Sequence, residues 1–125
     1  MSAAHVICVL VPVRIESEAN RREHWRTVAA RAKAHRWGAV WGLEAASSRW
    51  EMNTPQPPLT ITLTRIGPRT LDDDNLASGF KAFRDGVADW LGIDDGDKRL
   101  TWRYAQRKGK PKEYAAEVTI ESVMP

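Results

Sequence analysis

Cysteine is nearly absent: Cys8 is the one thiol in 125 residues, so no intrachain disulfide framework and no thiolate zinc cluster can form. Long apolar runs are missing as well. Nowhere do the ~18 consecutive apolar residues of a membrane-spanning helix occur, and the apolar run at residues 6–13 follows no basic segment and precedes no small-residue cleavage site. Membrane spanning and secretion are disfavoured, and a reducing, cytoplasmic setting is expected. His5, His24 and His35 have no metal-ligand spacing with the lone cysteine, and no Gly-rich phosphate loop is present. The last absence leaves a small-nucleotide phosphohydrolase without support. What remains is 42% hydrophobic and 28% charged, the balance of one globular domain spanning residues 1–125.

The hydropathy pattern orders that domain. Residues 5–13 are apolar on both alternation phases and rich in Val and Ile, which predicts a central strand covered on both faces. From Ser17, a capping residue type, residues 18 to about 46 are rich in Ala, Arg and Glu. Trp25, Val28, Ala29, Ala32 and Trp37 fall where one buried stripe would lie, and Gly38 marks the place for a break. Prolines and small polar residues at 47–58 predict a surface connection. Leu59, Ile61 and Leu63 alternate with threonines as a strand does. After Leu71 a second helix is expected, with Leu76, Phe80, Phe83 and Val87 inward and Gly92 at its end. Leu100, Trp102 and Tyr104, then Tyr114, Ala116, Val118 and Ile120, read as two strands, and the RKGKPK between them predicts a hairpin. The expected fold is α/β or α+β, a small mixed sheet of about four strands with two main helices in the order β-α-β-α-β-β.

Charge is unevenly spread. Residues 72–97 hold eight acidic and two basic side chains, whereas the rest of the chain holds 17 basic against 8 acidic. Such an acidic island suits a cation pocket on a surface that attracts a polyanion, and equally an acidic helix in a basic protein. Its first part, Asp72, Asp73, Asp74 and Asn75, opens the second helix, where carboxylates either cap backbone N–H groups or point into a cleft. Asp74, Ser78, Lys81 and Asp85 share one helical face opposite the apolar stripe. Its second part, Asp94, Asp95 and Asp97, lies in the turn after Gly92. The two clusters meet only if the chain doubles back after Asp95, or across a dimer.

The stretch LDDDNLASGFKAFRDGVADWLGIDDGD resembles the RusA family of Holliday junction resolvases, in which a D-x-D-N helix start precedes a basic residue and a G-x-D-D turn. The resemblance covers about 26 of the 125 residues closely. It implies an α/β-type fold, a homodimer, a Mg²⁺ requirement, and paired cuts on opposed strands of a four-way DNA junction. Asp72, Asp74 and Asp95 would be the catalytic, metal-binding carboxylates, with Asp94 and Asp85 in reserve. The family's lysine position is Ser78 here, and Lys81, one turn later on the same face, would take its role. The chain between the first aspartate and the G-x-D-D turn is also about two residues longer, which implies a small bulge or a longer helix end. The residue types suit the chemistry: phosphodiester hydrolysis needs hard oxygen ligands, a positioned water and a cation near the developing charge.

For DNA backbone contact the candidates are Arg22, Arg26, Lys33 and Arg36 along the first helix, and Arg107, Lys108, Lys110 and Lys112 at the expected hairpin tip. Trp50 and Trp102 suit either a wedge at a junction or core and dimer packing. A dimeric, non-catalytic DNA-binding accessory protein, with aspartates that only cap helices and tune charge, is the competing expectation.

Overall fold

A computed structural model describes residues 6–17, 23–50 and 54–122. They form a four-stranded mixed sheet and three helices in the order β1 (Val6–Val11), α1 (Trp25–Trp50), β2 (Leu59–Gly67), α2 (Asp73–Gly79), α3 (Lys81–Leu91), β3 (Leu100–Lys108) and β4 (Ala115–Ser122). The expected α+β architecture is therefore present. Across the sheet the order is β1-β4-β2-β3, with β4 antiparallel to β1 and β2, and β3 parallel to β2. It follows that β1, β2 and β3 all end at the same edge of the sheet.

Alternation selects one face for the core. The register aligns Ile7, Ile120, Ile61 and Trp102 in one row and Val9, Val118, Leu63 and Tyr104 in the next. Leu76, Phe80, Phe83, Val87 and Leu91 from α2 and α3, with Ala39 and Leu43 from α1, pack on these rows in one cluster. Phe80 and Phe83 are fully buried and meet edge to face at 5.8 Å between ring centres, a favoured aromatic geometry. The expected second helix is thus real, with a kink at Phe80, where the N–H is shared between the Leu76 and Ala77 carbonyls. Gly92 closes it with φ 70°, the left-handed conformation that glycine adopts without steric cost.

Several expectations are corrected. β1 is an edge strand and not a central one; Val6 (58% exposed) and Leu10 (60%) lie on the uncovered sheet face. Apolar residues on both phases did not mean two covered faces. β3 and β4 form no hairpin, because β2 lies between them and the Gly109 N–H donates to the Gly67 carbonyl across its end. The connection, residues 109–114, reaches over one strand, a span of about 10 Å.

Helix α1 starts at Trp25, so Ser17 does not cap it, and it runs unbroken through Gly38 to Trp50, into the stretch expected to be loop. Its buried line is His35, Ala39 and Leu43, while Trp25, Val28, Ala29 and Trp37 are exposed and Ala32 is half-buried. Close approach explains the choice of face. A Cβ on Gly86 would stand 2.2 Å from the Arg36 carbonyl oxygen and 2.9 Å from the Ala39 Cβ, so α1 and α3 meet through small residues and the indoles turn outward. Arg36 seals the pair by a bidentate bond to Asp89, at 2.5 and 2.9 Å.

Phe83→Ala should therefore lower the free energy of unfolding by about 3–5 kcal/mol, read from urea denaturation. Asp85→Ala, on the polar side of the same helix, should change it by less than about 0.5 kcal/mol.

Candidate active site at the carboxyl edge of the sheet

In open α/β sheets ligands gather beyond the carboxyl ends of parallel strands, and here the ends of β1, β2 and β3 share one edge. The loop leaving β2 delivers Asp72 there. Gln106, inward on β3 beside Arg65 in register, grips that loop through both Leu71 backbone groups: its Oε1 accepts the Leu71 N–H at 2.9 Å and its Nε2 donates to the Leu71 carbonyl at 2.7 Å. Asp72 takes the N-cap position of α2 with extended backbone, but its carboxylate caps nothing. Asp73 and Asp74 follow in the first turn, and all three side chains are exposed. Among the described residues none of these carboxylates has a hydrogen-bond or ion-pair partner. The first acidic group is therefore left to solvent and the helix dipole.

The second acidic group is committed elsewhere. Asp94 Oδ1 accepts the Gly96 N–H at 3.0 Å and so shapes the turn. Asp97 accepts the Arg99 N–H and guanidinium, which hold its pKa down to about 2. Asp95 pairs with Arg84, Nε to Oδ2 at 3.2 Å, and its carbonyl accepts from Arg84 Nη2 and Trp102 Nε1. Arg84 also donates to the Tyr104 hydroxyl at 2.9 Å and lies over the Trp102 ring. This places Trp102 in a structural network. Since Asp95 sits at Trp102 and Leu71 at Gln106, the two acidic groups stand about 13 Å apart along β3. Among the described residues no group of three or more His, Cys, Asp or Glu side chains is close enough to hold a metal ion. The convergence of Asp72, Asp74 and Asp95 is therefore not made within one chain.

The other candidates divide likewise. Ser78, Lys81 and Asp85 do share a face, and they line a cleft of about 540 Å³ against Val28, Ala32 and His35 of α1. The cation set against Asp95 is Arg84, not Lys81. Arg36 is occupied by Asp89, whereas Lys33 is exposed and Arg26 lies over the Trp25 ring. Arg22 and the Trp50 side chain lie outside the described residues. Arg107 pairs with Glu117 at 3.5 Å across the open sheet face. Lys108, the last residue of β3, and Lys110 and Lys112 on the β3–β4 connection are exposed, and that connection is bonded to the end of β2 and so belongs to the same edge as Asp72. No described helix is long and apolar enough to cross a membrane.

Sequence reasoning passed over Arg84, Gln106 and Arg65. Each is a long polar side chain on an element whose neighbouring positions are core, and that break in the apolar alternation was the available signal. No protein-family model and no curated protein sequence matches the chain.

The low pKa of Asp97 fixes a pH dependence. A carboxylate held at about 2 when folded, against about 3.9 when unfolded, stabilises fully above the unfolded value and loses that contribution as pH falls through the folded one. The difference in unfolding midpoint between wild type and Asp97→Asn should be constant above pH ~5 and shrink between pH ~4 and ~2. A difference that is unchanged across that window would contradict the pairing.

Proposed function

We propose that the protein is a Mg²⁺-dependent endonuclease of branched DNA, of the RusA type, acting as a homodimer that nicks opposed strands of a four-way junction. The observation that carries the reading is the edge at which unpartnered Asp72, Asp73 and Asp74 adjoin Arg14 of the β1 exit and Arg69 of the loop after β2, which line a cavity with Leu71, and Lys108, Lys110 and Lys112 at the end of β3 and just beyond it. Free carboxylates beside a polycationic rim are what a metal-assisted attack on a phosphodiester requires. The residues fit Mg²⁺, which takes one or two protein carboxylates together with substrate phosphate in preference to an all-protein cage. Asp72 and Asp74 would hold it. When bound, the ion supplies a more acidic water and charge neutralisation at the scissile phosphate.

The chain's own side chains do the rest. Lys108, Lys110 and Lys112 would engage the backbone by charge, without base readout. Arg84 keeps Asp95 and the turn it occupies in place, so the second half of the motif serves position more than ligation within one chain. The exposed Val6 and Leu10 on the open sheet face, and Trp25, Trp37 and Trp41 on α1, favour a second copy as partner, whose two-fold symmetry would match that of a junction.

A second reading is favoured by one observation, the separation of Asp95 from the Asp72 edge: a dimeric DNA-binding accessory protein that cuts nothing. Cleavage of a labelled four-way junction beside its linear duplex, in Mg²⁺ or EDTA, separates the two. Symmetric nicks confined to the junction and to Mg²⁺ are expected. Asp74→Asn should reduce their rate about a hundredfold or more, since the metal contributes several kcal/mol. A variant that cuts at the wild-type rate would sink the assignment, and binding without cuts would establish the accessory protein.

A further inference from the structure

Beside the acidic edge, where β1 exits, a cavity of about 450 Å³ opens among Arg14, Glu16, Arg65, Arg69, Leu71 and Tyr114. Its floor is unusual. Arg65 occupies an inward position of β2, in register with Gln106 of β3 and Ala116 of β4, and is only 5% exposed. Its Nε donates to the Ile15 carbonyl at 2.8 Å and its Nη1 to the Arg69 carbonyl, while its guanidinium lies flat on Gly67, where a Cβ would stand 2.9 Å from Cζ. Among the described residues no carboxylate pairs with it. Burial accordingly draws its pKa below the ordinary arginine value.

Two carbonyl dipoles orient this cation, and the carboxylate that acts on it through space, Glu16, is already paired with Arg14, so the buried charge is only partly compensated. The surroundings add to the positive charge. Arg69 is exposed at the rim, and Arg14 lies over the Tyr114 ring at 4.2 Å with Glu16 as its ion-pair partner. Three guanidinium groups thus face one carboxylate, and a planar guanidinium fork matches two oxygens of a phosphate. The cavity opens one residue before Asp72, whose loop supplies its Leu71 wall.

We propose that this cavity is a phosphate site that takes one backbone phosphate of the bound nucleic acid, next to the one presented to Asp72 and Asp74. The inference rests on the nuclease reading for its ligand, but not for its existence as an oxyanion site. Arg65 supplies the buried positive floor, and Arg14 and Arg69 close over the oxygens from the rim. Its occupation would fix the strand's register relative to the carboxylates.

The test uses the full chain and the double variant Arg14→Gln/Arg69→Gln, which keeps Arg65 and both carbonyls that hold it. The variant's unfolding midpoint in chloride checks that it folds as the wild type does. Phosphate at matched ionic strength should raise the wild-type midpoint by mass action beyond the general salting effect that both proteins share. In EDTA, where nothing is cut, the variant should bind a four-way junction roughly tenfold more weakly, with a salt slope shallower by about 0.9 for each phosphate that is no longer neutralised. An equal phosphate response in the two proteins, or a phosphate-specific response with unchanged junction affinity, would overturn the proposal. If wild type cuts junctions and the phosphate responses are equal, the site falls and the nuclease reading stands. If the phosphate response and junction affinity depend on the two arginines but nothing is cut, the site stands and the nuclease reading falls.

Discussion

Strand β2 is hydrogen-bonded along both edges, to parallel β3 and antiparallel β4, and the rest of the molecule is placed by that constraint. Leu59, Ile61 and Leu63, at most 1% exposed, give the helices one face to cover. The same alternation carries Arg65 inward two residues beyond Leu63, where the core gives way to the sheet's edge. Parallel pairing with β3 obliges the intervening chain to return along the sheet as α2 and α3, so Asp72 must lie at the carboxyl edge and Asp95 toward the amino end of β3.

From that separation the two acidic clusters acquire different physics. Around Asp95 most polar groups are engaged: Arg84, Trp102 and Tyr104 close a network about the charged loop, in which the buried Arg84 Nε has the Asp95 ion pair but no hydrogen bond. Around Asp72 the backbone is gripped by Gln106 while the carboxylates are left open. The exposed carboxylates of the first loop are open to solvent and to a ligand, whereas the Arg84 network fixes the shape of its turn. The basic residues sort by the same test, since Arg36 and Arg84 serve packing and the lysines at 108–112 face solvent.

Much of the fold was legible in local periodicity. The second helix, its Leu76, Phe80, Phe83 and Val87 stripe, its Gly92 stop and the inward face of β2 all follow from spacings that only one conformation satisfies. Strand order was not legible, because neighbours in a sheet are chosen by non-local pairing; RKGKPK is compatible with a hairpin and with passage over β2. The buried face of α1 was misjudged for a physical reason as well. Apolar size favours the tryptophans, but the close approach of Gly86 admits only Ala39. The candidate site was half legible: the D-x-D-N run announced its carboxylates, while Gln106 and Arg65, which order and charge the same edge, lie far from it in sequence.

Which carboxylates attract a divalent cation decides between the two halves of the acidic island, and a paramagnetic probe reports that without any assumption about cutting. In ¹⁵N spectra of the full chain titrated with Mn²⁺, amide signals of residues 71–76 should broaden first and most, with residues 93–97 little affected and Asp72→Asn/Asp74→Asn abolishing the effect. Broadening centred on residues 93–97, or spread evenly over all exposed acidic side chains, would contradict a metal-binding edge at Asp72 and Asp74.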